Sequence, residues 1–329
     1  MNEQPTSCRA IDQSILLGVY QRILWDRLTP RIPARVTPNT LTMIGQVLGV
    51  LSAVLCGIAV KGYRPLYVLS ALCLLASLTL DNIDGAHARR TGQCSRRGEL
   101  LDHGLDGITS TSVLVITGLL LHLGDVLMGV FCALGALTFA SAFWEQFRTG
   151  VLTLPKVGPT EGITAVAVWE VLVAVFGDPA WLRFSSDRVT AGTVIIALVV
   201  LVHAVAIAPP FFRAAKQGVK CWEVVPLFVL VGLQLGFVLL GAEGIVPAMT
   251  MGLICADTTC HIIVLRHRGQ RAPLVPRTAY LAALPLLIPL VAPDAATAGA
   301  IVALGLVIGG YAQTVRSGWK LLGPKSVAA

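Results

Sequence analysis

The stretch DNIDGAHARRTGQCSRRGELLDHGLDG, residues 81–107, carries four aspartates beside long apolar segments: Asp81, Asp84, Asp102 and Asp106. Carboxylates at the edge of a membrane are costly and by default mark function. Asp81 and Asp84 are three apart and Asp102 and Asp106 four apart, so on continuous helices each pair shares a face. Two such helix ends brought together would converge four carboxylates on one point. Anions that close repel unless cations sit between them, and hard oxygen donors of this kind suit Mg²⁺ or Mn²⁺. Two ions held this way can clamp both ends of a phosphoryl displacement. Gly85 follows Asp84, and Gly98 precedes Asp102 by one helical turn. A missing side chain there lets a backbone or a phosphate approach. Arg89 can offer a fork of donors to a phosphate oxygen. His103 lies beside Asp102 and four after Glu99, so Glu99 can face it on a helix and hold its tautomer for general-base work. Any one of these aspartates alone would read as a helix cap or a surface ion pair. The whole spaced set is hard to explain that way.

What must position these residues is a set of membrane helices. Of 329 residues, 55% are hydrophobic and 13% charged, whereas about a quarter of a soluble domain is charged. Apolar runs long enough to cross a bilayer recur at roughly 41–60, 63–80, 107–123, 127–144, 162–176, 190–208, 223–241, 245–264, 279–292 and 297–312. With both termini cytoplasmic, 21 of the 25 Lys and Arg fall in cytoplasmic segments, as the positive-inside rule asks. Only Lys61, Arg64, Arg183 and Arg188 fall on the other side. The expectation is an all-α, polytopic membrane helical bundle of about ten transmembrane helices. It forms one domain over residues 1–329, with the charged motif on the cytoplasmic side.

Residues 1–40 form a cytoplasmic or interfacial N-terminal segment in this reading. Within it, Ile11, Ile15, Leu16, Tyr20, Ile23 and Leu24 fall near helical spacing. They predict an amphipathic helix over 11–28 that lies in the interface or packs on the bundle. The net charge of +7 is carried by loop Lys and Arg, so no nucleic-acid partner is expected. The cysteines show no C-x-x-C pair, and Cys56, Cys73, Cys132 and Cys255 lie inside apolar runs as small buried hydrophobes.

The pattern D-x-x-D-G-x-x-A-R-x8-G-x3-D-x3-D resembles the signature of the CDP-alcohol phosphotransferase family. Asp81, Asp84, Gly85, Ala88, Arg89, Gly98, Asp102 and Asp106 occupy its fixed positions. The longer forms A-R-R-T (88–91) and G-E-L-x-D-H-G-x-D (98–106) are similar to the choline/ethanolamine phosphotransferase branch. So is T-P-N-T-L-T (37–42), and the segment 144–155 looks most like ethanolamine-type members. The resemblance implies two ions, one held by Asp81, Asp84 and Asp102, the other by Asp81, Asp102 and Asp106. It implies a CDP pocket lined by Asn39, Gly85, Ala88 and Arg89, with CDP-ethanolamine or CDP-choline as donor and a diacylglycerol-like lipid as acceptor. It also implies a homodimer, a polar cavity open to the cytoplasm, and residence in a bacterial inner membrane or in the endoplasmic reticulum or Golgi of a eukaryote. The resemblance makes Asp106 the usual candidate for the base, and His103 with Glu99 competes for that role. Ala86, His87, Arg96 and Arg97 depart from the branch, which bears on substrate more than on reaction type. The alternatives are a CDP-diacylglycerol-dependent phosphatidyltransferase with a polar alcohol acceptor, and a membrane transporter. The second predicts an internal repeat that the sequence does not show.

Other polar residues inside apolar runs are Asp257, His261, Glu170 and His203. Each could line a lipid cavity or simply join helices through a hydrogen bond. Trp144 and Glu145 could contact an amine head group.

Overall fold

The computed structural model describes residues 9–178, 180–185, 187, 189–270 and 273–323. Residues 1–8 and 324–329, and with them the placement of both termini, lie outside the described residues. So do Arg188 and Arg271, which count among the 25 basic residues.

Strand β1 (Arg9–Asp12) pairs in parallel with β2 (Val151–Leu154), Arg9 opposite Val151 and Asp12 opposite Leu154. Next along the chain is a helical stretch: α1 (Leu17–Tyr20), a π turn Gln21–Trp25, α2 (Asp26–Leu28) and a 3₁₀ turn Thr29–Arg31. The long helices are α3 (Pro38–Ala59), α4 (Pro65–Thr91), α5 (Arg96–Leu120), α6 (Asp125–Thr149), α7 (Pro159–Phe176), α8 (Ala191–Lys216), α9 (Val225–Leu239) and α10 (Ile245–His267). A 3₁₀ helix (Arg277–Leu286), the short α11 (Leu287–Val291) and α12 (Ala296–Leu322) complete the chain.

Eight of these helices are long and apolar enough to cross a membrane. Helix α5, with 25 residues, and the shorter apolar pair Arg277–Val291 account for the other two apolar runs. The expected all-α polytopic bundle is what the chain forms. Helix α10 sits at its centre, packed on α5, α6, α9 and α12, while α8 is the least enclosed.

The apolar runs stop near residue 80 and resume at 107, and most of the segment between them is helix, as the placing of each aspartate pair on one helix face requires. Helix α4 continues to Thr91, and α5 starts at Arg96. Gly92, at φ +66°, closes α4 in the left-handed conformation that glycine adopts without strain, and Gln93 N–H bonds back to the Ala88 carbonyl at 2.9 Å. Ser95 then caps α5, its Oγ accepting from Gly98 N–H at 3.0 Å. A turn this short sends α5 back along the bundle, with α3 packed on both helices and both aspartate pairs within about three turns of the bend. At 1.5 Å per residue the 27-residue α4 is about 40 Å long, roughly 10 Å more than the hydrocarbon core. Its last turns can therefore reach the interface.

The predicted amphipathic helix begins later than Ile11. Residues 9–12 are drawn into the strand pair, and Glu161 anchors residues 14–16: its Oε1 accepts from Ser14 Oγ at 2.6 Å and from Leu16 N–H at 3.0 Å. From Leu17 on, Leu17, Tyr20, Leu24 and Trp25 pack on the bundle, and Tyr20 Oη meets Thr164 Oγ1 at 3.0 Å. Ile15, Val19 and Ile23, four apart, stay exposed as an outer apolar stripe. Glu161 also accepts from Gly158 N–H at 2.8 Å, capping α7. Glu161→Ala loses all three bonds, about 1.5 kcal/mol or more each for a charged acceptor. It is expected to detach the N-terminal segment and speed tryptic cleavage at Arg22 and Arg27 several-fold; an unchanged digestion rate in detergent would contradict this.

Cys56, Cys73, Cys132 and Cys255 are buried, as expected of small hydrophobes. Glu170 is an interhelical link: it accepts from Ser70 Oγ at 2.5 Å, and Ser70 in turn bonds Ser52 Oγ at 2.9 Å, joining α7, α4 and α3. His203 Nδ1 meets the Val199 carbonyl of its own helix at 2.8 Å, and His261 Nε2 the Pro273 carbonyl at 3.1 Å. Asp257 is fully buried between α10 and α12.

Candidate active site

The α4–α5 hairpin brings the four aspartates together. Asp84 is buried, and the Thr42 hydroxyl of α3 donates to its Oδ2. Asp81 lies against Asp106 and in the field of Asp84 and Asp102. Asp84 lies in the field of Asp102 and Asp106. His103 sits between the α5 carboxylates, its Nδ1 3.5 Å from Asp106 Oδ2 and 3.8 Å from Asp102 Oδ2. Asp102, His103 and Asp106 each offer a ligand atom, all within 4.8 Å of one another. Asp81 and Asp84 stand outside that tightest group.

Among the described residues, no lysine or arginine forms an ion pair with any of the four aspartates. Uncompensated carboxylates at this density repel one another. The donor set is oxygen-rich with one imidazole at its edge, which fits a hard divalent cation.

The residues expected around a nucleotide border the same hairpin. A Cβ on Gly98 would lie 3.4 Å from Asn39 Oδ1, so Asn39 stands beside the start of α5. Arg89 is exposed, with a guanidinium nitrogen 3.4 Å from where a Cβ on Gly85 would be. Ala88 is nearly buried on the inner side of α4. His87, fully buried, meets the Val36 carbonyl at 2.7 Å through Nε2 and accepts from Arg90 at 3.0 Å on Nδ1. Arg90 also donates to the Ile32 carbonyl, and Gln93 to that of Ala34 at 3.1 Å. His87, one of the departures from the branch, thus joins Arg90 in gripping residues 32–36 and setting where Asn39 begins α3.

Two expected contacts are not made. Glu99 does not hold His103. It is taken by α10, with Arg266 on Oε1 and His267 Nε2 on Oε2 at 2.7 Å. His103 is steered instead by Asp102, Asp106 and the ring of Phe143, whose centroid lies 5.2 Å away. Trp144 and Glu145 are not open to a head group either. Trp144 Nε1 donates to Glu223 at 2.7 Å, and Arg213 is paired with Glu145, Nη2 to Oε2 at 2.7 Å. Arg97 donates to the Trp319 carbonyl at 2.8 Å and lies over the Trp319 ring.

Sequence reasoning missed Thr42, Phe143, Arg266, His267 and Tyr311, whose hydroxyl donates to the Gly104 carbonyl at 3.2 Å. Thr42 had a signal, since it closes the T-P-N-T-L-T segment. The others meet the site only across helices.

Helix α5 packs on α10 through glycines. Going up α5 and down α10, Gly104 meets Cys260, Gly107 meets Ala256 and Thr111 meets Gly252. At each level one helix's short side chain (Cys260, Ala256 or Thr111) fills the space left by the other's glycine, and a second side chain has no room. The aspartates occupy a different face of α5 from this seam.

The family model described as CDP-alcohol phosphatidyltransferase matches residues 35–208, which include the whole hairpin. Cholinephosphotransferase 1 of Xenopus laevis is 34% identical over 168 residues, 49% of this chain and 42% of that protein. Cholinephosphotransferase 1 of Danio rerio is 36% identical over 169 residues, 49% of this chain and 44% of that protein. An uncharacterized CDP-alcohol phosphatidyltransferase class-I family protein of Dictyostelium discoideum is 34% identical over 179 residues, 52% of this chain and 45% of that protein. The chain spans about half the length of the curated relatives it matches.

Proposed function

Because the chain belongs to the CDP-alcohol phosphatidyltransferase family, we propose that it is an aminoalcohol phosphotransferase. It moves phosphoethanolamine or phosphocholine from a CDP-alcohol to a diacylglycerol-like lipid and releases CMP. The observation that carries this reading is the convergence of Asp81, Asp84, Asp102, His103 and Asp106 between the last turns of α4 and the first turns of α5. Relatives named cholinephosphotransferase support the aminoalcohol class.

In this reading Asp81, Asp84, Asp102 and Asp106 would hold two Mg²⁺ or Mn²⁺ ions. Bound there, the ions would neutralise the pyrophosphate and the charge that develops on it. Asn39, Gly85, Ala88 and Arg89 form the nucleotide pocket, where Gly85 leaves room for a phosphate and Arg89 supplies donors to it. The acceptor hydroxyl oxygen attacks the β-phosphorus, and the bond from that phosphorus to the bridging oxygen breaks. CMP leaves with the bridging oxygen. His103 takes the hydroxyl proton on Nε2 while Nδ1 faces Asp106. Their 3.5 Å separation is of the loose kind that tightens when substrate arrives.

The whole chain, residues 1–329, acts as one membrane domain, with the site and both termini facing the cytoplasm, and works as a homodimer. Arg97, one of the residues at which the chain departs from the branch, is committed to Trp319 and so adds no phosphate site for the rival donor–acceptor pair, CDP-diacylglycerol with a polar alcohol.

The test is CMP release by purified protein with Mg²⁺ or Mn²⁺, diacylglycerol and a panel of CDP-alcohols. CDP-diacylglycerol with inositol phosphate is the competing arm. No CMP from any aminoalcohol donor would overturn the proposal. In the same assay His103→Ala is expected to lose about 10²-fold or more in kcat, the usual contribution of a general base, while still binding Mn²⁺. Near-full activity in His103→Ala would leave Asp106 as the base.

A further inference from the structure

Glu99 belongs to the first turn of α5, one turn before Asp102, yet both its oxygens are spent on α10. Arg266 and His267 form the last turn of that helix. The side chains of this cluster are largely enclosed, with His267 4%, Arg266 13% and Glu99 19% exposed. The contact continues the glycine seam in register. Residue numbers rise along α5 as they fall along α10: Glu99 with Arg266, Gly104 with Cys260, Gly107 with Ala256, Thr111 with Gly252. Leu100 packs beside Val264 and Gly318 at the same level.

A seam of glycines filled by the short side chains of Cys260, Ala256 and Thr111 brings two helices close, but it holds them by van der Waals contact, which is weakly directional. A two-pronged charged contact at one end supplies what the seam lacks, since its hydrogen bonds fix direction as well as distance. At about 100° per residue, Glu99 lies on the helix wheel between the seam residues and the face of Asp102 and Asp106. Turning α5 about its axis would break this contact and swing the aspartates away from Asp81 and Asp84.

We infer that Arg266 and His267 are positioning residues. Through Glu99 they set the rotation of α5 and so the geometry in which Asp102 and Asp106 meet a divalent cation. The inference rests on the proposed function for its activity arm only. It places part of the site's control at the end of α10, beyond the residues that match the family model.

Mn²⁺ affinity of purified protein, read by electron paramagnetic resonance without substrate, separates this role from a mere charge effect. Arg266→Gln removes a positive charge near four carboxylates. If Arg266 acted only as a charge, the variant would bind Mn²⁺ as tightly as wild type or more tightly. If it positions α5, Arg266→Gln and Glu99→Gln both weaken Mn²⁺ binding, by about ten-fold, the scale for groups that orient metal ligands. Both then lower kcat for CMP release, and the double variant is no worse than the worse single. Val264→Ala, which loosens the same helix contact without touching the ion pair, keeps wild-type affinity within about two-fold, below the orienting-group scale. If Arg266→Gln does not yield folded protein, Arg266→Lys, which keeps the charge but loses the planar fork, is read the same way.

Unchanged or tighter Mn²⁺ binding in Arg266→Gln overturns the inference, as does equal weakening in Val264→Ala. Wild-type protein that binds Mn²⁺ but releases no CMP would remove the proposed activity and leave the positioning role to the affinities alone. Wild-type protein that binds no Mn²⁺ overturns both.

Discussion

Replacing Asp102 with asparagine is expected to lower the rate of CMP release by about 10³-fold, the equivalent of about 4 kcal/mol of lost transition-state stabilisation. Asp102 lies in the field of Asp81 and Asp84 and 3.8 Å from His103. In the proposed arrangement it is shared by both ions. Asparagine keeps the shape and one acceptor oxygen but loses the charge, so the hairpin has no reason to refold. The stability consequence has a distinctive sign. Without metal, one of four mutually repelling carboxylates is gone, and Asp102→Asn should unfold at a temperature equal to or above that of wild type. With Mn²⁺ added, wild type gains stability by mass action and the variant gains little. The two curves therefore cross, and thermal scans with and without Mn²⁺ check it. A variant that responds to Mn²⁺ as wild type does, with turnover within about ten-fold of it, is incompatible with Asp102 as a ligand.

The second large effect lies at the glycine seam. A Cβ at Gly107 would sit 2.8 Å from Ala256 Cβ, 3.1 Å from Ala256 Cα and 3.2 Å from the Phe139 ring. Two of these neighbours belong to α10 near its backbone, where nothing can rotate away. Gly107→Val must push α5 and α10 apart, and overpacking of this kind costs about 1–3 kcal/mol even where a core can adjust. Gly107 is next to Asp106, so the same displacement moves a site carboxylate. The variant is expected to lose almost all turnover and several degrees of thermal stability. Gly107→Ala should do the same to a lesser degree, and Ala256→Gly should restore part of its activity by opening the space opposite. Failure of that rescue, with Gly107→Ala near wild type, would show the seam to be looser than the backbone places it.

The grouping of the hairpin's carboxylates was legible in sequence because it is local. Spacings of three and four put Asp81 with Asp84 and Asp102 with Asp106 on one face of any helix, whatever surrounds it. The apolar runs were legible for the same kind of reason, since a bilayer imposes length and composition on each span separately. The position of the bend was half legible. Gly92 and Ser95 are a helix stop and a helix start, but the apolar runs end near residue 80 and resume at 107, well short of where the two helices meet the turn.

Partners were not legible. Glu99 and His103, four apart, satisfy every local rule for a pair, but Arg266, 167 positions away, is what Glu99 meets. An arginine and a second histidine outbid one neighbour on the same helix, because together they satisfy both carboxylate oxygens. Trp144 and Glu145 were likewise claimed by Glu223 and Arg213, and residues 9–12 by the strand at Val151–Leu154. The sequence by itself determined that four carboxylates, a histidine and the Gly85–Arg89 run lie on two successive helix ends at a membrane edge. Only the tertiary structure decided how that hairpin is turned. Helix periodicity says which residues share a face, and nothing in it says which distant helix that face will meet.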